Sequence, residues 1–366
     1  MRVLLIEEGW HSTLYLARAL EDAGHAVTVL TANGSRARHR HKTVLWTSGP
    51  PIEDASFLSH LRTVVERGGF DRVFPLTEPA MTRLWDAEGP WSDRLHPATE
   101  EWQRRLLRDK HALVEYMAAR GIAIPAHRRL DQALTHGLDA VALPVVLKGA
   151  TGAGGRMVSI VEDRPALALA VRRASALGGE WILQELVAGS TYLFGGLFHR
   201  GEPVRVYAGE KVEQHPPRTG SAIRIRSTVD PTLLDVGCRA MRTLALSGFA
   251  SADFMRRPDG SYVLLEVNPR LWGSLAGARS AGVDLFTPFA AMLGGQAPEP
   301  ALAFADGVDC LIFPRYLNAP SHRNVAGLRR AMRDLRTDQG RDWLDPRFVA
   351  HTLRRLYHMK RLARRL

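Results

Sequence analysis

Residues 264–274 read LLEVNPRLWGS, and the first half of that stretch decides how the rest of the chain is read. Leu264 and Leu265 open an apolar strand, yet Glu266, Asn268 and Arg270 follow at every second position. Side chains alternate across a strand, so these three share one face while Val267 and Pro269 take the other. A carboxylate, an amide and a guanidinium aimed at one spot make either a structural ion pair of Glu266 with Arg270 or a site for a charged ligand.

The stretch upstream favours the second reading. Asp253 lies in GFASADFMRR (248–257), and PDG (258–260) between it and Glu266 reads as a hairpin turn. The two strands then run antiparallel and bring the acids together. Mg²⁺ takes a few protein oxygens together with phosphate oxygens, a need that Asp253, Glu266 and the Asn268 carbonyl fit. Arg270, further along the same face, suits a phosphoryl oxygen.

Toward the N-terminus, LPVVLKGATGAGGRMVSIV (143–161) reads as strand, glycine loop, strand. Gly149 and Gly154 have the spacing of the G-x-x-x-x-G-K-[ST] phosphate loop, but Gly155 and Arg156 stand where Lys and Ser/Thr are required. The phosphate-binding physics survives: Gly149, Gly152, Gly154 and Gly155 let backbone N–H groups close over anionic oxygens, and Lys148 supplies a fixed positive charge. The competing reading is a plain glycine-rich hairpin.

The surrounding elements follow from periodicity. VLLIEEGWHSTLYLARALEDAGHAVTVLTA (3–32) reads as a βαβ start with Gly24 ending the helix, and FDRVFPLTE (70–78) as a later parallel strand. Its first turn holds one glycine, which gives no support for a dinucleotide. RDKHALVEYMAARGIAIP (108–125) is a helix stopped by Gly121, followed by a short strand. WILQELVAGSTYLFGGLF (181–198) and EPVRVYAGEKV (202–212) are strands, and PTLLDVGCRAMRTLAL (231–246) is a helix. SRARHRHK (35–42) is either an anion-binding loop or a solvated surface turn.

Length and charge bound the function. The chain has 366 residues, enough for two or three domains. No apolar run approaches the length of a membrane span, and the N-terminus turns acidic too early for a signal peptide. Cys238 and Cys310 do not make a metal-spaced pair, so a reducing cytoplasm is the simplest setting. Of the net charge of +11, residues 321–366 carry +9, with thirteen Lys/Arg against four Asp/Glu. The nearly neutral body argues against a nucleic-acid partner. DPRFVAHTLRRLYHMKRLARRL (345–366) has the spacing of a basic amphipathic helix, which either docks on its own protein or makes peripheral contact with the inner surface of a membrane.

The order Lys110, Lys148, glycine loop, LQELV, Asp253 and LEVNPR resembles the ATP-grasp superfamily, above all its carboxylate–amine ligases and carbamoyl-phosphate-synthase-like members. The resemblance covers about residues 1–300. It implies mixed α/β and α+β architecture. A Rossmann-like parallel-sheet domain (1–105) would precede a two-lobed ATP-grasp fold with antiparallel sheets (106–187 and 188–300) and a basic helical extension (301–366). It implies ATP held by Lys110 and Lys148, by the loop residues Gly149, Thr151, Gly152, Gly154 and Gly155, and by the hinge residues Gln184, Glu185 and Val187. Thr191 stands at the ribose position, where many relatives have Glu, and Ser251 where some ligases have Arg. Asp253, Glu266 and Asn268 would hold one or two Mg²⁺ ions, with Mn²⁺ as a substitute. Arg270 and Lys148 would serve the phosphoryl transfer.

The expected reaction activates a carboxylate as an acyl phosphate and joins it to an amine, both small molecules, releasing ADP and phosphate. Phosphotransfer without ligation, carbamoyl-phosphate-type synthesis and a non-catalytic nucleotide-binding role are the alternatives. Lys211, Arg218, Arg224 and Arg226 are candidate carboxylate binders, and Glu78 a candidate for the amine. Trp272 either walls the pocket or packs in the core.

Overall fold

The computed structural model describes residues 1–7, 11–32, 44–150 and 157–312. The loop 35–42, the glycine-loop residues Thr151, Gly152, Gly154 and Gly155, and the basic segment 345–366 lie outside the described residues. The chain divides into two compact units.

One unit comprises Met1–Ala98, Asp284–Glu299 and the described residues from Cys310 on. Its parallel sheet has the order β3-β2-β1-β4, with β1 (Arg2–Glu7), β2 (Ala26–Ala32), β3 (Leu45–Gly49) and β4 (Arg72–Pro75). Leu4, Ile6, Leu30 and Val73 face helix residues Phe57, Leu61 and Val65 in one core. The helix His11–Asp22 joins β1 to β2, and Gly24, at φ 81°, makes the left-handed turn out of it. This is the expected βαβ start, with β3 as an additional strand. Phe289, from the helix Phe286–Leu293, meets Phe74 edge to face with ring centroids 5.5 Å apart.

The other unit comprises Thr99–Val283 and Pro300–Asp309. Its smaller sheet has the order β5-β8-β6-β7, with β5 (His127–Arg129), β6 (Val145–Gly149), β7 (Val158–Val161) and β8 (Trp181–Glu185). All of its pairs are antiparallel. Leu147, Leu183 and Val161 pack with Leu167 and Val171 of the helix Arg164–Leu177.

Within this unit five strands of the larger sheet run in the order β13-β12-β9-β10-β11, with β9 (Ser190–His199), β10 (Glu202–His215), β11 (Ser221–Ser227), β12 (Gly248–Arg256) and β13 (Tyr262–Asn268). One face is apolar: Phe194, Phe198, Ala208, Ala252, Phe254 and Leu264 pack against Leu233, Ala240 and Met241 of the helix Pro231–Leu244. Leu113 and Met117, from the helix Lys110–Ala118, join the same core. The opposite face is left for polar chemistry. The mixed α/β class, with one parallel and two antiparallel sheets, is the class expected from the sequence.

Candidate functional site

In register, Asp253 on β12 stands opposite Glu266 on β13, and Asp253 also faces Leu193 on β9. Directly opposed residues share a face, so all three lie on the polar side of the sheet. Simple alternation alone would not produce this. Tyr262 and Leu264 face the core, and so does Val267, three residues further on. The register shift between Asp253 and Phe254 leaves Leu265 as the extra residue of a β-bulge. The bulge changes the phase of the strand, so that Glu266 and Asn268 turn away from the core.

The polar groups form a connected chain. Arg270 Nη2 donates to Asn268 Oδ1 (3.1 Å), and Asn268 Nδ2 donates to Glu266 Oε1 (3.2 Å). Lys110 Nζ reaches Glu266 Oε2 at 3.2 Å. Lys211, two residues beyond Gly209, which opposes Leu193 on this face, donates to Asp253. Lys148, 8% exposed at the end of β6, donates to the bulge carbonyl of Leu265 at 3.4 Å. Four cations thus gather around two carboxylates, an excess of positive charge suited to a polyanion.

Burial pushes Lys148 down to about 8, with Lys110 adding to the effect and Glu266 opposing it. A buried ammonium has three donors to satisfy. Among the described residues, this one has only the long bond to Leu265. Burial raises Asp253, and Glu266 raises it further, more than Lys211 and Arg270 lower it. Burial acts on Glu266 in the same direction, but Lys110, Lys211, Asn268 and Lys148 outweigh it and hold this carboxyl well below the usual range. Two hard carboxylates side by side, Asp253 raised by burial and by its neighbour, are suited to a divalent cation. The Asn268 carbonyl already accepts from Arg270 and would share that bond.

The expected hinge lies on β8. Gln184 is buried, and its Nε2 has no hydrogen-bond partner among the described residues. The Glu185 N–H donates to the Ala126 carbonyl (2.7 Å). Its carboxylate accepts from the Ala126 N–H and from Arg257, both at 3.1 Å. The Glu185 N–H is therefore already committed. Val187 is buried, and Thr191 donates weakly to Met255 Sδ at 3.9 Å. Thr191 opposes Met255 in register, two residues from the Leu193–Asp253 pair and so on the same face. Gly149 closes β6, its N–H donating to the Met157 carbonyl at 3.0 Å.

The candidate substrate residues separate. Lys211 joins the acid pair. Arg226 opposes Glu210, which opposes the core residue Tyr192, so Arg226 and Arg224 lie on the other face of the sheet from Lys211. Both pair with Asp309, Arg224 through two bonds. Arg218 is exposed, 3.6 Å from Glu162. Glu78, in the other unit, opens the helix Glu78–Trp85 behind its Thr77 cap rather than ending the strand. Trp272 is buried, packed where a side chain on Gly195 would stand.

Residues 107–274 match the family described as ATP-grasp domain. The acid pair, Lys110, Lys148, Lys211 and Arg270 all fall within the matched segment. The fold is similar to that of L-amino acid ligase from Bacillus licheniformis, at 19% identity over 80% of this chain and 74% of that one (TM-score 0.62). It is similar to the biotin carboxylase–βγ-ATP complex from Campylobacter jejuni, at 15% identity over 84% and 74% (TM-score 0.66). N5-carboxyaminoimidazole ribonucleotide synthetase from Thermotoga maritima resembles it at 15% identity over 82% and 77% (TM-score 0.59). At these identities the likeness is one of fold. No curated protein matches the sequence. No helix among the described residues is long and apolar enough to cross a membrane.

Proposed function

We propose that this chain is an ATP- and Mg²⁺-dependent ligase that activates a carboxylate and joins it to an amine. The observation that carries the reading is the convergence of Lys110, Lys148, Lys211 and Arg270 on the Asp253–Glu266 pair, with the buried Lys148 ammonium under-partnered. Lys110 and Lys148 bind phosphate oxygens. Asp253, Glu266 and Asn268 would hold the divalent ion, which when bound offsets the charge of the triphosphate. Arg270, fixed by Asn268, meets the transferring phosphoryl group. Gln184 and Thr191 contribute to the nucleoside side.

The chemistry needs no protein nucleophile. A substrate carboxylate oxygen attacks the γ-phosphorus and ADP leaves. An amine nitrogen then attacks the acyl carbon, loses a proton and expels phosphate. Positioning and charge stabilisation account for most of such catalysis. Lys211 is the acceptor-side cation whose place supports contact with substrate, since Arg224 and Arg226 are engaged with Asp309 on the other face.

A panel of amino acids and small acids, screened in pairs for ADP and phosphate release, tests the reading. A ligase forms ADP and free phosphate in equal amounts only when acid and amine are both present. Accumulation of a stable phosphorylated product from one substrate would assign phosphotransfer instead.

A further inference from the structure

A second group of ligand-type side chains lies outside the acid pair. His111 and Glu115 stand four residues apart on the helix Lys110–Ala118, hence on one face. His127 begins β5. The two imidazole centroids are 5.0 Å apart, His127 Nε2 is 3.0 Å from Glu115 Oε1, and one ligand atom from each of the three residues lies within 4.8 Å of the others.

The orientation of His127 gives the group its meaning. Its side chain is 3% exposed. Nδ1 lies 3.2 Å from the Pro125 carbonyl oxygen, which can only accept, so Nδ1 carries the proton and donates. In the neutral ring Nε2 then presents a lone pair. That buried atom has no hydrogen-bond partner among the described residues, and it faces a carboxylate oxygen, a second acceptor. Two acceptors at that distance require a proton or a metal ion between them. An imidazole whose far nitrogen donates to a backbone carbonyl is the usual posture of a metal ligand, with ring and tautomer both set.

The surroundings are compatible with added positive charge. Arg129, a neighbouring cation, is engaged by Glu180 at 2.9 Å and Asp109 at 3.6 Å. Glu115 is 56% exposed, which leaves water access to a fourth coordination position.

We propose that His111, Glu115 and His127 form a binding site for a divalent transition-metal ion of the Zn²⁺ type, separate from the site at Asp253 and Glu266. Two imidazoles and one carboxylate suit Zn²⁺, Co²⁺ or Ni²⁺, whereas Mg²⁺ prefers oxygen alone. Bonds of ~2.0–2.2 Å in a tetrahedron bring ligand atoms to about 3.4 Å of one another. The Glu115–His127 pair is already that close, and rotation of the His111 side chain supplies the remaining approach. The bound ion would fasten the helix that begins at Lys110 to β5, where His127 pairs with Gln184 of β8.

Co²⁺ titration of the untagged full-length protein with excess Mg²⁺ tests this, read by the visible d–d absorption and by displacement with Zn²⁺. The expected result is one Co²⁺ per chain, with Glu115→Gln and His127→Gln each weakening binding by at least about tenfold. Glu266→Ala should leave the band unchanged. Glu115→Gln changes an exposed side chain, so its outcome does not depend on whether the His127 variant folds. Absence of a d–d band in the wild type, a band unaffected by Glu115→Gln, or loss of the band in Glu266→Ala would overturn the proposal. The first of those results would leave a protonated His127–Glu115 ion pair as the role of the cluster.

Discussion

The two faces of the larger sheet are made by the same strands and serve opposite ends. On one face Phe194, Ala252, Phe254 and Leu264 are fully or almost fully buried beneath the helix Pro231–Leu244. On the other, Asp253, between Ala252 and Phe254, and Glu266, two residues beyond Leu264, gather four cations. The apolar face stabilises the fold by removing surface from water, whereas the polar face holds like and unlike charges at partial burial, an arrangement with little net stabilising value. A single bulge at Leu265 separates the two, because it lets Leu264 and Val267 both face inward while Glu266 faces out. Stability and chemistry should therefore respond to different substitutions on adjacent residues.

Glu266→Ala is the strongest test of the polar face. It removes the carboxylate that Lys110 and Asn268 hold, and we expect ADP formation to fall by about a thousandfold or more in a coupled assay. Retained turnover would reject the metal assignment. Phe254→Ala tests the other face. It should cost about 3–5 kcal/mol in a denaturant titration while the fraction that stays folded still forms ADP. A variant that kept its stability would show that this face is not the principal core.

Lys148→Met lies between the two cases. It replaces a buried ammonium with an apolar chain of similar length, so nucleotide affinity should drop by about a hundredfold, measured calorimetrically. Stability should not fall, because the substitution also removes the cost of burying the charge. Loss of stability without loss of affinity would move Lys148 from the site to the scaffold.

The parallel-sheet unit has a smaller version of the same contrast. His96 lies against Phe74 and Phe289, with centroids 4.6 and 5.4 Å away. Burial, aided by Arg72, lowers it to about 4. Its folded value is below the unfolded one, so the unfolded chain binds the proton more readily. The stability contributed by the neutral ring is present above about pH 6.5 and lost as pH falls through about 4. We expect a loss of about 2 kcal/mol over that window, allowing for the partial exposure of the residue, and its absence in His96→Phe. Identical pH profiles for the two proteins would remove His96 from the account.

Some of the site was legible because it depends on local rules. The PDG turn was enough to bring the strands of Asp253 and Glu266 together, though the bulge at Leu265 sets their exact pairing, and the apolar run ending at Lys148 marked that lysine as a strand-end cation. The bulge left a trace in the three-residue gap between Leu264 and Val267, where alternation would demand two or four. The pairing of Lys211 with Asp253, 42 positions apart, left none. Nor did the pairing of Arg224 and Arg226 with Asp309, which takes two of the expected substrate cations to the opposite face. His111 and Glu115 show helical spacing in the sequence, but only the fold adds His127 to them.

The sequence by itself determined the hairpin, the acid pair, the strand–loop–strand around the glycines and the resemblance to ATP-grasp proteins. Each of these rests on periodicity, turn chemistry or residue order within a short window. The tertiary structure alone decided which cation meets which acid and which face each arginine takes. Those outcomes depend on the strand order β13-β12-β9-β10-β11 and on one bulge, and no local pattern encodes how distant strands line up.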